Sequence, residues 1–262
     1  MRDFNNIKND LREQNVNLSL VDISNTRMRM EKYGNRAYSG LLTDWEHAYV
    51  DGMRYPKRKY DFLSGRLAAK RAVKGYLLDY FRDSCESLRF NDIEIRRLKT
   101  GKPEVSITNN QAGFLISISH SGTLAVSTVS GDANYRGIGV DIERIEKRDE
   151  SFLNVAFNQS EINRLKVYEQ DDISDSISSM DKEVTRSWVI KEAVLKSLGL
   201  GLNMDLKDIE ILDSNSGRVS ISMTNDVKRK YDQLHFDESD LMIESFIINN
   251  SYVISIACLG RR

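Results

Sequence analysis

Two long segments of the chain carry apolar side chains at helical spacing, and many shorter segments alternate or run apolar as strands do. Helical spacing extends over residues 62–80 and 183–198, and Gly199 follows the second segment as a stop signal. The predicted strands are residues 17–23, 93–98, 105–107, 114–119, 124–129, 137–143, 207–212, 218–223, 242–248 and 252–259. Each long helix is followed by a run of short strands, and runs of this kind predict an α+β fold.

Two further helix starts are marked by capping boxes. Thr43 is followed three residues later by Glu46, and Asn158 is followed in the same way by Glu161. Residues 1–16 are polar and predict a loose or helical arm. Residues 169–181 are acidic and rich in serine, and they predict a mobile surface loop.

The two halves of the chain repeat one order of elements. In each half a long helix with basic residues precedes a strand, a turn and a hairpin, and the short strand 105–107 (VSI) has its counterpart at 219–221 (VSI). This order predicts two similar halves, residues 1–133 and 134–262, that form a pseudo-dimer. The turn-rich segment 130–136 joins them, and we expect a ligand site between them, where clefts prefer to form.

Composition narrows the possible partners and compartments. The chain of 262 residues has 38 Lys and Arg against 39 Asp and Glu, a balance that gives no support for a nucleic-acid partner. Two cysteines form neither a disulfide framework nor a zinc pattern. No segment reaches membrane-span length and no apolar signal region opens the chain, so we expect a cytoplasmic protein without a membrane partner.

The strand at residues 137–143 brings two acids to one face. Side chains alternate along a strand, so Asp141 and Glu143 point the same way while Val140 and Ile142 pack on the other side. A solvated strand edge and a metal site fit the acid pair equally well. The apolar neighbours favour the metal site, because buried charges need partners and adjacent carboxylates are tolerated mainly where a cation neutralises them.

A third carboxylate is expected from the second long helix. Glu192 and Lys196 are four residues apart and share a helix face. An exposed pair of this kind contributes only about 0.3–0.5 kcal/mol, but the apolar residues around this pair indicate that the helix is partly buried. Glu192 facing Asp141 and Glu143 predicts a site of hard oxygen ligands for Mg²⁺, and Mn²⁺ suits the same ligands.

Two other segments suggest an anionic ligand. Ser119 and His120 end a strand just before a Ser-Gly turn, where hydroxyl, amide and imidazole groups are able to meet an anion. The basic residues of the first half that suit the same purpose are Arg66, Lys70, Arg97, Lys99 and Lys102. Taken singly, each basic residue is more simply a solvated one. No P-loop, dinucleotide fingerprint, kinase signature or nucleophile elbow is present.

The order of these segments resembles the 4′-phosphopantetheinyl transferases, in particular the larger, monomeric, pseudo-dimeric kind that activates peptide synthetases (surfactin synthetase among them), polyketide synthases and fatty-acid carrier proteins. The matching segments are Ser64-Gly65-Arg66-Leu67, Gly101-Lys102-Pro103, Ile118-Ser119-His120-Ser121, Gly139-Val140-Asp141-Ile142-Glu143, Phe157 with Glu161, Trp188-x-x-Lys191-Glu192-Ala193-x-x-Lys196 and Gly199-Leu200-Gly201-Leu202. The most specific element is the Gly-x-Asp-x-Glu strand followed by the Trp-x-x-Lys-Glu helix.

The resemblance implies that coenzyme A donates its phosphopantetheine group to a serine of an apo carrier protein and that 3′,5′-ADP leaves. It implies that Asp141, Glu143 and Glu192 hold Mg²⁺. It assigns catalysis to Glu192, Lys196, Asp141 and His120, and coenzyme A binding to Arg66, Arg97, Lys102, Pro103, Ser119, His120 and Lys196. The base that takes the serine proton is Glu192 itself or a metal-bound water.

Two alternatives remain at this point. Another Mg²⁺-dependent phosphotransferase or nucleotide hydrolase needs the carboxylates but has no use for the Ser-His turn and the basic residues. A catalytically silent module that only binds carrier proteins requires the loss of a carboxylate or lysine position, and none of these positions is lost. The acidic segment 169–181 is a candidate for modifying the choice of carrier partner.

Overall fold

The computed structural model of the protein describes residues 3–85, 87–107, 113–168, 178–199, 204–213, 219–224 and 238–261. Helices and antiparallel strand pairs mix throughout, which confirms the α+β class. The chain divides into two compact units, an N-terminal unit ending at Ile138 and a C-terminal unit beginning at Gly139. The domain boundary predicted at 133/134 stays a prediction, because this division groups contacts and does not test independent folding. No helix within the described ranges is long and apolar enough to cross a membrane.

The N-terminal unit is built on one long helix and a three-stranded sheet. Its helices are α1 (Phe4–Glu13), α2 (Ile23–Tyr33), α3 (Asp44–Asp51), α4 (Pro56–Tyr80) and the single turn α5 (Arg82–Cys85). Its strands are β1 (Asn17–Asp22), β2 (Ile93–Arg97), β3 (Pro103–Ile107), β4 (Phe114–Ser121) and β5 (Leu124–Gly131). The sheet order is β1-β5-β4, and β2-β3 form a separate hairpin. Helix α4 packs on both groups of strands.

The C-terminal unit has the same plan. The strand β6 (Tyr135–Arg144) carries the chain into it. The unit's other elements are α6 (Glu150–Ala156), α7 (Gln159–Lys166), α8 (Ser179–Leu198), β7 (Ile209–Asp213), β8 (Ser220–Met223), β9 (Leu241–Ile248) and β10 (Tyr252–Gly260). Its sheet order is β6-β10-β9, with β7-β8 as the separate hairpin. Helix α8 packs on these strands as α4 does in its own unit.

The internal repeat expected from the sequence is therefore present in the topology of each unit. Strands β1, β5 and β4 correspond to β6, β10 and β9, the hairpin β2-β3 corresponds to β7-β8, and α4 corresponds to α8. A backbone hydrogen bond is repeated as well. Ile23 donates to Thr123 O at 2.8 Å, just as Ile145 donates to Ser251 O at 2.8 Å. The pairing of the halves into a pseudo-dimer stays a prediction.

Small residues let α4 lie close to its sheet. Ala68, Ala69 and Ala72 are fully buried, and a Cβ at Gly65 would be 3.3 Å from the Ile118 side chain. A larger residue at these positions would push the helix away from the strands and open the core. The close approach fixes the position of every side chain on the helix relative to the sheet.

Helices α8 and α2 differ from the sequence-based expectation, whereas the N-terminal arm follows its helical alternative. Helix α8 begins four residues before the predicted start at 183, because Ser178 and Asp181 form a capping box there. Helix α2 was not predicted at all. The polar N-terminal arm forms the helix α1, which buries Ile7 and Leu11. Residues 169–177 of the predicted acidic loop, and the Gly201 that was expected after α8, lie outside the described residues.

Candidate functional site

Strand β6 and helix α8 touch through their backbones in the C-terminal unit. A Cβ added at Gly139 would be 1.9 Å from Ala193 O and 2.5 Å from Ser197 N, so only glycine permits this approach. The contact places the two acids that follow Gly139 on the strand beside the side chains that precede Ser197 on the helix. The Gly-x-Asp-x-Glu pattern thus has a packing reason for its glycine.

Asp141 is buried and paired with the lysine of the helix. Lys196 Nζ donates to Asp141 Oδ1 at 2.6 Å and to Val140 O at 3.2 Å. Asp141 is 4% exposed, whereas Glu143 is partly exposed and lies 3.8 Å from the Arg148 guanidinium. The charged hydrogen bond between Lys196 and Asp141 is partly buried, so less water screens it than an exposed ion pair and it is stronger.

Glu192 completes an acidic cluster with the two strand carboxylates. Burial raises the pKa of Glu192, repulsion from Asp141 and then from Glu143 raises it further, and attraction to Lys196 opposes the shift. The three carboxylates predicted from the sequence to converge therefore interact electrostatically within one unit. A cation that binds there would relieve this repulsion.

The position of Glu192 on α8 is set by its neighbour in the sequence. Lys191 is fully buried, and its Nζ donates to Glu161 Oε2 at 2.7 Å and to Ala156 O at 3.0 Å. Glu161 in turn caps α7 and accepts the backbone N–H of Ile211 at 3.0 Å. We call this pair of Lys191 and Glu161 the C-terminal clasp. It ties α8 to α7 and β7, so that Glu192 faces the strand.

The N-terminal unit contains the same device, the N-terminal clasp of Lys70 and Glu46. Lys70 Nζ donates to Glu46 Oε2 at 2.5 Å, to Leu41 O at 2.7 Å and to Phe90 O at 3.1 Å. Glu46 caps α3 and accepts the backbone N–H of Ile95 at 3.2 Å. Lys70 is fully buried, so grouping it with the ligand-gripping basic residues was wrong. The duplication identifies both lysines as scaffold.

The clasps are the residues that sequence reasoning missed. Both glutamates were recognised as capping-box residues, but their second partners lie 24 and 30 positions further along the chain. The sequence does contain a repeated pattern that indicates the clasps. In each half, a capping-box glutamate is followed by a lysine within the long helix. Neither clasp lysine is free to meet a ligand.

No three His, Cys, Asp or Glu side chains within the described ranges stand close enough to hold a metal ion as they are placed. Lys196 supplies the positive charge next to Asp141 instead. The chemistry of the donor set still fits a hard cation, because burial and the charges of Asp141 and Glu143 raise the pKa of Glu192, and a cation would offset these effects. The metal assignment of Asp141, Glu143 and Glu192 stays a prediction.

The residues predicted to bind coenzyme A, apart from Lys196, lie in the N-terminal unit. Arg66 is 9% exposed, its guanidinium lies 4.3 Å from the centre of the Phe62 ring, and its Nε is 3.8 Å from Glu46. Burial lowers the pKa of Arg66, Glu46 opposes the shift, and Arg97 adds to it by repulsion. Arg66 and Arg97 thus repel each other, and an anion bound near them would offset this repulsion.

The remaining predicted ligand contacts lie at the ends of strands. Arg97 Nε donates to the carbonyl of Gly101, which has a φ of +89° and forms the turn before Lys102 and Pro103. Lys102 is exposed at this turn, and Pro103 begins β3. Ser119 and His120 lie near the end of β4, where Ser119 is half-buried and His120 is exposed. The residues around the Gly101 turn and those at the end of β4 all lie in the N-terminal unit. Their role in binding coenzyme A stays a prediction.

Comparisons with known proteins match the C-terminal part of the chain. A sequence model of the 4′-phosphopantetheinyl transferase superfamily matches residues 137–257, which include most of β6 and all of α8. The holo-[acyl-carrier-protein] synthase of Halothermothrix orenii is 28% identical over 126 residues, covering 45% of this chain and 95% of that protein. The one from Geobacillus sp. (strain WCH70) is 33% identical over 112 residues, covering 43% of this chain and 87% of that protein.

Among solved structures, the holo-(acyl-carrier-protein) synthase of Bacillus anthracis in complex with CoA is 26% identical, with a TM-score of 0.38 over 45% of this chain and 94% of that one. The matched segment begins at residue 137, close to the start of the C-terminal unit at Gly139. On the family match and the relative from Geobacillus, the chain belongs to the 4′-phosphopantetheinyl transferase superfamily.

Proposed function

We propose that this protein transfers the 4′-phosphopantetheine group from coenzyme A to a serine of an acyl, polyketide or peptidyl carrier protein and releases 3′,5′-ADP. The observation that carries the proposal is the contact of β6 with α8, which gathers Asp141, Glu192 and Lys196 inside the segment that matches the superfamily. The named relatives are holo-[acyl-carrier-protein] synthases.

In the proposed reaction the serine hydroxyl oxygen attacks the β-phosphorus of coenzyme A, and the bond from that phosphorus to the bridging oxygen breaks. The electron pair leaves with 3′,5′-ADP, and the serine proton passes to Glu192, directly or through a water. The pKa of Glu192, which burial raises, makes this carboxylate a better proton acceptor than an exposed glutamate. Lys196 keeps positive charge beside the phosphate that is transferred.

Asp141, Glu143 and Glu192 are the residues that would hold Mg²⁺, or Mn²⁺ in its place. When bound, such an ion supplies charge stabilisation to the pyrophosphate oxygens. The repulsion of Glu192 by Asp141 and Glu143, which adds to the effect of burial on the pKa of Glu192, supports the assignment. Dialysis against a chelator should abolish transfer, and adding back Mg²⁺ or Mn²⁺ should restore it.

Arg66, Arg97, Lys102 and Pro103 are proposed to hold the nucleotide end of coenzyme A, with the planar guanidinium of Arg66 or Arg97 on the 3′-phosphate. The repulsion between Arg66 and Arg97 supports the proposal, since a bound anion would offset it. Replacing Arg97 with Gln should raise the dissociation constant of 3′,5′-ADP about tenfold, equal to about 1.4 kcal/mol.

Ser119 and His120 are proposed to contact the phosphates of coenzyme A. Their place at the end of β4, one half-buried and one exposed, supports this role. Replacing His120 with Gln removes the imidazole at an exposed position, so it should preserve the fold and weaken the binding of coenzyme A.

The decisive experiment is intact-mass analysis of an apo carrier protein incubated with this protein, coenzyme A and Mg²⁺. A mass gain of one phosphopantetheine group per carrier is expected. Glu192→Gln should abolish the gain, whereas Glu183→Gln should not, because Glu183 lies on the same helix and pairs with Arg186 outside the cluster. The proposal is refuted if an acyl carrier protein and a peptidyl carrier protein both stay in the apo form.

We also propose that the protein works in the cytoplasm as a monomer. Both cysteines, Cys85 and Cys258, are free and buried, which suits a reducing compartment. Sedimentation of the purified chain tests the monomer. A dimer at micromolar concentration would contradict it.

A further inference from the structure

The two clasps place the long helices of the two units in the same register against their own strands. Lys70 on α4 and Lys191 on α8 each reach a capping-box glutamate and a backbone carbonyl just before that cap. The next residue of each helix therefore occupies an equivalent position. That residue is Glu192 in the C-terminal unit and Arg71 in the N-terminal unit.

The first strands of the two sheets are also in register. Ile23 and Ile145 make the repeated backbone hydrogen bond to the residue just before β5 and β10. Counting back two residues from each isoleucine gives Val21 in the N-terminal unit and Glu143 in the C-terminal unit. The valine therefore takes the place of an acid.

The same register extends to Asp141, the third carboxylate of the cluster, and to Lys196, which pairs with it. Ser19 takes the place of Asp141, and Gly75, five residues after its clasp lysine, takes the place of Lys196. The N-terminal unit thus has none of the four groups at the equivalent positions. It has gained an arginine where the C-terminal unit has the proposed base.

A cavity of about 400 Å³ opens in the N-terminal unit at this equivalent position. Its lining includes Val21, Arg29, Lys32, Tyr38, Leu67 and Arg71. We call it the basic cavity. Its volume is within the range of small-molecule sites. Every residue of its lining belongs to the N-terminal unit.

The lining of the basic cavity has three positive charges, on Arg29, Lys32 and Arg71, against one negative charge, on Asp22. Within the described part of the chain, Arg29, Lys32 and Arg71 have no carboxylate oxygen within 4.0 Å. The acid of the lining, Asp22, serves as the N-cap of α2, where it accepts the backbone N–H of Ser24 at 2.7 Å. Three cations around one concave surface repel one another, and an anion placed among them relieves the repulsion.

The walls of the cavity are apolar and aromatic. Tyr38 is buried, and the guanidinium of Arg29 lies 5.7 Å from the centre of its ring. Leu67 of α4 and Val21 of β1 extend the apolar surface. A ligand that fills this space needs both a strongly charged group and a flat or apolar part.

We propose that the basic cavity is a second, non-catalytic site that binds a phosphorylated small molecule. The phosphate lies against Arg29, Lys32 and Arg71, because guanidinium forks match its oxygens. The rest of the ligand lies on Tyr38 and Leu67. The proposal rests on the internal repeat and on the charge of the cavity. It does not depend on the transfer reaction.

The first test labels arginines of the full chain with phenylglyoxal, with and without ligand, and maps the products by peptide mass. The probes are 3′,5′-ADP in one arm and inorganic pyrophosphate in the other. With a probe at about ten times its dissociation constant, modification of Arg29 and Arg71 should slow about tenfold. Arg27, which pairs with Glu31 on the same helix, should react at an unchanged rate.

The two arms identify what the cavity recognises. Protection by both probes indicates that the phosphate groups suffice, and protection by 3′,5′-ADP alone indicates that the nucleoside contributes. Either result supports the proposal. Equal modification rates of Arg29 and Arg71 with and without both probes overturn it.

The second test counts bound ligand by equilibrium dialysis with 3′,5′-ADP. Arg29→Gln/Arg71→Gln should bind one equivalent fewer than Arg27→Gln/Arg36→Gln, which removes the same charge from the same unit outside the cavity lining. Circular dichroism establishes that both variants are folded. Equal binding by the two double variants overturns the proposal, and because only the difference counts, this result is independent of any binding at the proposed catalytic site.

Discussion

Replacing Lys191 with methionine should destabilise the protein without removing any group of the acidic cluster. Methionine keeps much of the apolar stem but loses the ammonium, so Glu161 is left buried at 4% exposure without its cation. Removing one member of a buried ion pair typically costs 3–5 kcal/mol. Glu161 keeps two backbone donors, the N–H groups of Asn158 at 3.1 Å and Ile211 at 3.0 Å. We therefore expect the lower end, about 3 kcal/mol.

The double variant Lys191→Met/Glu161→Gln should recover part of this loss. Burial lowers the pKa of Lys191, and attraction to Glu161 opposes the shift without cancelling it. The sign means that the charged lysine is less favourable in the folded protein than in the unfolded chain. Removing both charges removes that cost together with the attraction. Gln has only one acceptor oxygen for the two backbone N–H groups that Glu161 binds, so we expect the double variant to be about 1–2 kcal/mol less stable than the parent.

Urea unfolding followed by circular dichroism measures these differences, and a second probe should check that the transition of each variant is cooperative. Lys70→Met is the matched variant, because the N-terminal clasp has the same geometry and burial. It should lose a similar amount. The reasoning is refuted if Lys191→Met unfolds at the urea concentration of the parent, or if the double variant is no more stable than the single one.

Three other substitutions test the site itself. Glu192→Gln should abolish transfer and raise the stability of the metal-free protein by about 0.5–2 kcal/mol, because it removes a carboxylate whose pKa burial and the neighbouring acids raise. Thermal melts measure the stability, and the carrier mass assay measures the transfer. A destabilised variant would contradict the repulsion of Glu192 by Asp141 and Glu143. Lys196→Met should lower kcat more than it raises KM for coenzyme A, and equal changes would indicate simple binding. Gly139→Ala should lose at least about 3 kcal/mol, since its Cβ would overlap Ala193 O; an unchanged melting temperature would show that the strand and the helix separate easily.

The features that the sequence predicted are those encoded in short spacing. Capping boxes such as Thr43 with Glu46 need only four residues, and the structure has both of those predicted. The alternation that put Asp141 and Glu143 on one face also needs only a strand. Local patterns of this kind are decided by backbone geometry before any tertiary contact forms.

The features that the sequence did not predict depend on distant contacts or on weak local patterns. Helix α2 buries only Ile23 and Thr26 along its eleven residues, so its polar run offers little periodicity to recognise. Lys70 was assigned to ligand binding because a lysine is usually exposed. Its burial follows from a glutamate 24 residues earlier, and no local pattern contains that pairing.

The clasps explain how one scaffold has carried two different surfaces. Each clasp joins the long helix to a capped helix and to the hairpin through one lysine and one glutamate. The helix residue after the clasp lysine is not part of these contacts, so it can be substituted without breaking them. In the C-terminal unit that residue is Glu192 beside two acids, and in the N-terminal unit it is Arg71 beside Val21. A change from glutamate to arginine at this position would destabilise the protein if the residue were needed for the fold. Because the clasp stabilises the fold instead, the position is available for binding ligands of either charge.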